Sequence, residues 1–351
     1  MTTSFWQPLP SVALALLAAC AGPRGSDTPS AVEPHALHAW SGPAQARWVE
    51  PGESPLLWPV IESRPFDELL PSWNADVPQG CHLAVDVRVS VEPGIWSPWL
   101  SLGGWERGAT PPSPGSRTVE WRTDRGKVRV AIDVLESEFT LSRYQLRFSA
   151  AGDEAIRLDS VHVVASDTAS VLNHPLRRDL VQAVELKVPA RSQRLEDPAI
   201  AGRICSPTSV TMALAHFGAE YPTGTVAETL YDADHDIYGN WNRAVQGAFE
   251  LGVRGYLTRI NHWGEVAAHL LAGEPLVISI RADEGELQGA PYARTSGHLL
   301  TIRGLTDDGY ALVNDPAAHE VKGVPRRYSL SDLETVWLRR NGVAYAFTGP
   351  R

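Results

Sequence analysis

Three residues of the types used in nucleophilic catalysis occur in the order Cys205, His298 and Asp315. A Ser-Pro-Thr segment follows Cys205, and the run over residues 210–217 ends at Gly218. Proline near the first helical position and glycine just past the last predict a helix, with Cys205 at its N-terminus. There, free N–H groups and the positive end of the helix dipole stabilise a thiolate, the species that attacks a carbonyl. The alternative is a structural cysteine, because free cysteine is among the most buried residue types.

His298 and Asp315 are predicted to share one face of a β-hairpin. Apolar runs over residues 299–304 and 310–313 flank Asp307-Asp308-Gly309, which is typical of a hairpin turn. With a four-residue loop Asp315 lies opposite Leu300 and diagonal to His298, at about 7–8 Å. Asp315 could then orient His298, which could hold Cys205 in a thiolate–imidazolium pair. Alternatively, His298 is a strand-end histidine and Asp315 only ends a strand.

Three segments together resemble the bacteriocin-processing (double-glycine leader) peptidase-like family of the papain clan. They are Cys205-Ser-Pro-Thr-Ser, Ser296-Gly-His298-Leu-Leu-Thr-Ile-Arg-Gly and Val313-Asn-Asp315-Pro-Ala. The resemblance covers roughly residues 185–350. It implies a papain-like fold in which Cys205 is the nucleophile, His298 the general base and Asp315 the residue that orients it.

The resemblance also implies a glutamine in the oxyanion hole and a substrate cleft near a later helix. Gln193, twelve positions before Cys205, is the nearby candidate for the glutamine, although papain-like enzymes usually keep a shorter separation. A solvated surface glutamine is the alternative. Asn240 and Trp241 are expected to line the substrate site. The acidic cluster over residues 232–236 lacks the glycine and glutamate of a calcium loop, so it is interpreted as a solvated loop.

The N-terminal segment resembles a bacterial lipoprotein signal. A short apolar run over residues 12–19 ends in Leu-Ala-Ala-Cys20, which predicts cleavage and lipidation of Cys20. A cysteine occurring by chance in an Ala-rich stretch is the alternative, and the first ten residues contain no Lys or Arg. Cys81 and Cys205 would then be the remaining cysteines, and both are predicted to be free because a disulfide would abolish the nucleophile.

The composition and the hydrophobic pattern predict two folded domains. The 351 residues are 43% hydrophobic, and a formal net charge of −10 argues against nucleic-acid binding. Short runs of alternating hydrophobicity predict an antiparallel β-sandwich of jelly-roll type. The predicted boundaries are a signal peptide at 1–20, a tether at 21–45, the β-sandwich at 46–168, a connector at 169–184 and an α+β papain-like cysteine peptidase domain at 185–351.

The predicted β-sandwich is rich in tryptophan, which could stack on sugar rings or could pack in the core. The residues concerned are Trp73, Trp96, Trp99, Trp105 and Trp121. A glycan contact and ordinary packing therefore both remain open for this domain.

The sequence as a whole predicts a cysteine hydrolase that is lipid-anchored in the bacterial cell envelope and faces outside the cytoplasm. We expect a peptide or protein substrate and a Cys-His-Asp mechanism with neither a cofactor nor a metal. Two alternatives stay open, namely a non-enzymatic ligand- or glycan-binding lipoprotein and an acyl or peptidyl transferase that uses the same site.

Overall fold

Two β-sheets form the framework of the computed structural model, which describes residues 32–92, 94–107 and 119–351. The predicted signal peptide and Cys20 lie outside the described residues. The first part of the predicted tether, residues 21–31, also lies outside them. The prediction of a tether is wrong for its last part, because residues 35–40 form a strand that pairs with residues 161–166.

The first domain is an eleven-stranded antiparallel sheet, which confirms its all-β character. The strands are β1 His35–Trp40, β2 Arg47–Val49, β3 Leu56–Leu57, β4 Ile61–Asp76, β5 His82–Glu92, β6 Ile95–Trp96, β7 Leu100–Glu106, β8 Glu120–Thr123, β9 Gly126–Ala131, β10 Val134–Ala151 and β11 Ile156–Ser166. The long strand β10 pairs with β4 and β9 in its first half and with β5 and β3 in its second half. It therefore joins all these strands into one sheet, and the jelly-roll arrangement stays a prediction.

The tryptophans of the first domain divide into core and surface residues. Trp73 and Trp105 are 3% and 2% exposed and belong to the core, so neither can stack on a sugar ring. Trp121 is partly buried against the same core. At the surface, the Arg88 guanidinium lies 4.6 Å from the ring centroid of Trp96 and 4.6 Å from that of Trp99. Glycan stacking therefore stays a prediction for these last two rings alone.

The second domain combines five α-helices with a seven-stranded antiparallel sheet. The helices are α1 Cys205–His216, α2 Thr223–Leu230, α3 Trp241–Glu250, α4 Trp263–Leu271 and α5 Leu330–Leu333. The strands are β12 Val184–Glu185, β13 Val253–Arg259, β14 Leu276–Ala282, β15 Thr295–Leu305, β16 Tyr310–Asn314, β17 Pro325–Ser329 and β18 Val343–Pro350, in the spatial order β13-β18-β14-β15-β16-β17 with β12 beside β15. None of the helices in the described part of the chain combines the length and apolarity that a bilayer-spanning helix needs.

Strand β4 joins the two domains through the alternation of its side chains. Leu69 and Trp73 pack in the core of the first domain, whereas Leu70 packs with the apolar residues of the second. On the same face as Leu70, the Ser72 Oγ accepts a hydrogen bond of 3.0 Å from the backbone N–H of Leu257. Because β13 is the edge strand of the second sheet, β4 covers an edge that would otherwise expose unpaired backbone groups.

Candidate active site

The candidate nucleophile is the first residue of helix α1, as predicted. Cys205 is half-buried, and the helix ends at His216, two residues before Gly218, which has a φ of +84°. The first N–H groups of a helix have no intrahelical partner, so they can interact with a thiolate or with developing negative charge. The Ser209 Oγ donates to the carbonyl of Leu299 at 3.1 Å, and this bond fixes the first turn of α1 against β15.

His298 and Asp315 come together through the predicted hairpin. Thr301 of β15 pairs with Asn314 of β16, which places Asp315 opposite Leu300 as expected, but a register shift between Ile302 and Gly304 separates this pairing from that nearer the turn, where Leu305 pairs with Ala311. The His298 Nε2 lies 2.8 Å from the Asp315 Oδ1. His298 is 5% exposed and Asp315 is completely buried, so this pair is shielded from solvent.

The pKa values of Cys205 and His298 are shifted toward a thiolate–imidazolium pair. Burial raises the pKa of the Cys205 thiol, but the hydrogen bond and charge of His298, together with the backbone N–H groups of Leu299 and Ser206, lower it below its usual range. For His298, burial lowers the pKa. The charge and hydrogen bond of Asp315 outweigh burial and, with the contribution of Cys205, raise the pKa of His298 to about 10.

Two tyrosines hold the carboxylate of Asp315. The hydroxyl groups of Tyr328 and Tyr292 donate to its Oδ2 at 2.7 and 3.0 Å, and the Ala317 N–H donates to its Oδ1 at 3.0 Å. Burial raises the pKa of Asp315, but the charge and hydrogen bond of His298, with the bonds from Ala317 and Tyr328, lower it overall. The carboxylate therefore stays ionised and fixed in place without exposure to solvent.

Comparison with known proteins assigns both domains to C39 peptidase families. Residues 185–345 match the sequence profile of the Peptidase_C39 like family, and residues 45–166 match that of the Peptidase C39 N-terminal domain. Residues 185–345 belong to the Peptidase_C39 like family. The resemblance noted from the sequence is thereby confirmed, and this part of the chain is called the C39-like domain below.

Two solved structures and the curated proteins complete the comparison. A double glycine motif protease from an AMS/PCAT transporter, solved with the leader peptide, shares 17% identity over 49% of this chain and 99% of that one, with a TM-score of 0.31. A structure of the infectious bursal disease virus Gt strain shares 10% identity over 41% of this chain and 38% of that one, with a TM-score of 0.21. No curated protein matches this chain.

Gln193 is buried in the C39-like domain rather than solvated at its surface. It is 2% exposed, and its backbone N–H donates to the carbonyl of Pro316, the residue after Asp315, at 2.9 Å. Its side-chain Nε2 donates to the carbonyl of Ala201 at 2.8 Å. An amide nitrogen carries two hydrogens, so one N–H of Gln193 is available beyond this bond. Its place in an oxyanion hole stays a prediction.

Asn240 and Trp241 have different places in the structure. Asn240 caps α3, since its Oδ1 accepts from the Arg243 N–H at 3.1 Å and its Nδ2 donates to Asp232 at 2.8 Å. Both ends of the amide are therefore engaged, and a direct contact of Asn240 with substrate is not supported. Trp241 is half-buried against the apolar cluster that also contacts Cys205, and its role at a substrate site stays a prediction.

The acidic segment over residues 232–236 is more ordered than the sequence indicates. Asp232 is 4% exposed and accepts hydrogen bonds from Asn240 and from the backbone of Asp234, and it lies 2.9 Å from the His235 Nδ1. The interpretation as a solvated loop is wrong for Asp232, because its carboxylate organises the turn before α3.

Tyr292 is a site residue that sequence reasoning missed. It lies in the loop between β14 and β15. The loop is attached to the domain by Arg340, which bonds Glu286 at 2.7 Å, and by Arg326, which donates to the Gly289 carbonyl at 2.6 Å. A tyrosine in such a loop has no distinctive sequence signal, because only the fold brings it to Asp315.

Three further residues lie close enough to share a metal ion. Glu33, His262 and Glu265 offer ligand atoms within 4.8 Å of one another. Both carboxylate oxygens of Glu265, however, accept hydrogen bonds from Asn261, at 2.8 and 2.9 Å. Glu265 therefore binds back to the residues that precede α4, as a glutamate of the first helical turn does in a capping box. This role explains the position of its carboxylate without a metal.

Proposed function

We propose that the protein is a cysteine hydrolase that cleaves peptide bonds with Cys205, His298 and Asp315. One observation carries the proposal: a hydrogen-bonded chain leads from a thiol at a helix N-terminus through a buried imidazole to a buried carboxylate. Each member has the chemistry its role needs, since the thiolate is stabilised, the imidazole can hold a proton and the carboxylate fixes the ring. Membership of the Peptidase_C39 like family supports the same reaction class.

The reaction proceeds through an acyl-enzyme. The Cys205 thiolate attacks the carbonyl carbon, and the carbonyl electron pair moves onto oxygen. As the tetrahedral intermediate collapses, the C–N bond breaks and His298 gives its proton to the leaving amine. Neutral His298 then takes a proton from water, whose oxygen attacks the thioester. The second intermediate releases the carboxylic acid and restores the thiolate and the imidazolium.

The oxyanion would be bound at the N-terminus of α1. We assign one donor to the backbone N–H of Cys205, because the first N–H groups of the helix have no intrahelical partner. The second donor is the free N–H of the Gln193 amide, whose backbone is tied to the segment after Asp315. The hydroxyl of Ser206, the next residue of α1, lies 3.2 Å from the Tyr345 hydroxyl.

We also propose that the enzyme acts at the outer face of a membrane to which Cys20 anchors it. This rests on the sequence around Cys20 alone, where an apolar run and small residues precede the cysteine. Metabolic labelling with a palmitate analogue tests it. Label should enter the full chain and should be lost in Cys20→Ala, while labelling that persists in the variant would contradict the anchor.

Peptide cleavage by the full chain tests the proposed activity. A proteome-derived peptide library is incubated with the wild type, with Cys205→Ala and with His319→Ala, whose exposed histidine provides a matched control. New peptide termini should appear with the wild type and the control and should be absent with Cys205→Ala. Equal cleavage by Cys205→Ala would refute the mechanism, and amide formation with an added amine would indicate a transferase.

A further inference from the structure

A cavity of about 160 Å³ lies between the first domain and the C39-like domain. The start of α3 lines one side with Asn242 and Arg243, and Trp73 and Trp105 line the other. The lining drawn from the described residues does not include Cys205, so the cavity is separate from the proposed nucleophile. Its volume corresponds to about five water molecules, at roughly 30 Å³ each in the liquid.

Arg243 brings a buried charge to this cavity without a direct protein partner. It is 6% exposed, and within the described chain its guanidinium forms neither an ion pair nor a hydrogen bond. The guanidinium stacks on Trp105, with its central carbon 4.8 Å from the ring centroid. Buried charges in proteins are normally paired, because removing an ion from water without compensation costs several kcal/mol.

Two of the three acidic residues near Arg243 are already engaged elsewhere, and the third, Asp234, is exposed and forms no ion pair with Arg243. Asp232 bonds to His235 and Asn240, at 2.9 and 2.8 Å. Glu250 accepts from the Trp105 indole N–H at 2.8 Å and pairs with Arg107 at 3.1 Å. The charges of these carboxylates raise the pKa of the Arg243 guanidinium without a direct contact. Burial has the larger effect and lowers this pKa overall. A ligand is therefore the natural direct partner for this charge.

Two further residues that line the cavity hold side-chain atoms without a hydrogen-bond partner among the described residues. They are Asn242, which is 3% exposed, with its Oδ1 and Nδ2, and Trp73 with its indole Nε1. These three atoms are closed off from solvent, whereas the terminal nitrogens of Arg243 are not, so the guanidinium is the donor group that faces the cavity. A guanidinium fits a ligand that carries a carboxylate or another acceptor-rich anion.

We propose that this interdomain cavity binds a free amino acid, with the ligand carboxylate on Arg243. A guanidinium and a carboxylate match as two parallel N–H···O bonds. Asp234, which is exposed and also lines the cavity, can receive the ammonium group of the ligand. The site lies beyond the proposed peptidase chemistry, because none of its residues belongs to the triad.

Binding of defined amino acids to the full chain tests the proposal. Each of the twenty proteinogenic amino acids and the corresponding carboxamides is titrated by calorimetry and by saturation-transfer NMR. At least one amino acid should bind saturably, its carboxamide should bind at least about tenfold more weakly, and Arg243→Gln should weaken binding by a similar factor. Arg254→Gln, which loses an interface ion pair to Asp159 outside the cavity, should leave the affinity unchanged.

A second variant keeps the test valid if Arg243→Gln does not fold. Asp234→Asn replaces an exposed carboxylate that lines the cavity by a neutral side chain of similar size. It should leave the melting temperature unchanged while weakening amino-acid binding at least about tenfold. The proposal is refuted if no amino acid binds the wild type, if acid and carboxamide bind equally, or if both cavity variants fold and bind normally. Cys205→Ala should bind as the wild type does, so failure of the peptidase proposal leaves this result unaffected.

Discussion

Replacing His298 by alanine should abolish the thiolate of Cys205 at acidic pH. In the wild type the imidazolium of His298, held by Asp315, lowers the pKa of the thiol against the opposing effect of burial. Without His298 the burial remains and its compensation is reduced to backbone N–H groups. The pKa of Cys205 should therefore rise to or above that of an ordinary thiol, about 8.5.

The magnitude follows from the population of the thiolate at pH 6. Each unit by which His298 lowers the pKa of the thiol raises the thiolate population at pH 6 by up to about tenfold. The same unit makes the thiolate a weaker nucleophile by roughly threefold. Alkylation of Cys205 in His298→Ala should thus be slower at pH 6 by roughly threefold for each unit of pKa that His298 contributes.

Site-resolved alkylation measures this effect. The full chain is treated with iodoacetamide from pH 5 to pH 9, and modification of Cys205 is followed by mass spectrometry, with the buried Cys81 as an internal reference for unfolding. His319→Ala removes an exposed histidine and should react as the wild type does. If His298→Ala stayed folded and Cys205 kept the wild-type rate at pH 6, His298 would not stabilise the thiolate.

Three further predictions concern the stability of the site and of the domain interface. Above about pH 8.5 the unfolded Cys205 and His298 have both lost their protons, while the folded pair keeps one until about pH 10. The free energy of unfolding in urea should therefore fall across this window by up to about 1.4 kcal/mol per pH unit, and less in His298→Ala. Tyr328→Phe removes a hydrogen bond to the Asp315 carboxylate and should lower that free energy by about 1.5–3 kcal/mol. Gln246→Leu removes two hydrogen bonds of 2.8 Å to the backbone of β4 and should cost roughly 2–4 kcal/mol, measured in the same way.

Matched surface variants separate these effects from a general cost of substitution. Tyr310→Phe and Gln45→Leu change exposed side chains and should alter the free energy of unfolding by less than about 0.5 kcal/mol. A loss in Tyr328→Phe or Gln246→Leu no larger than in its control would contradict the role of these hydrogen bonds. If the free energy of unfolding fell no more steeply with rising pH in the wild type than in His298→Ala, the folded Cys205–His298 pair would not keep the additional proton.

Part of the backbone geometry of the triad could be predicted because it depends on local rules. A proline and a glycine mark the limits of α1 and so place Cys205 at a helix N-terminus. Two apolar runs around a turn predict the hairpin, and a register shift between Ile302 and Gly304, which the sequence does not signal, puts His298 and Asp315 on one face. The predictions of the helix and of the hairpin use residues that are close in sequence, where periodicity and turn chemistry are informative.

The residues that the sequence analysis misplaced depend on contacts between distant segments. Tyr292 and Tyr328 reach Asp315 from a loop and from β17, and nothing in their local sequence distinguishes them from other tyrosines. Asn240 precedes a helix, as a lining residue or a cap would, and its bond from the Arg243 N–H shows that it is a cap, while Asp232 binds the other end of its amide. Trp105 lies in a strand, but its burial results from α3 of the other domain.

Helix α3 links the first domain to the position of the nucleophile. Its N-terminal N–H, on Trp241, donates to Asp133 of the first domain at 2.6 Å, and that buried carboxyl has a pKa raised to about 7 by desolvation. Apolar residues of α1 and α3, among them Val210 and Val245, pack in one cluster with Leu70 of β4. The first domain therefore supplies part of the core on which the Cys205 helix rests. A C39-like domain cut free of it would expose this cluster and the edge of β13, so the two domains should unfold in a single transition.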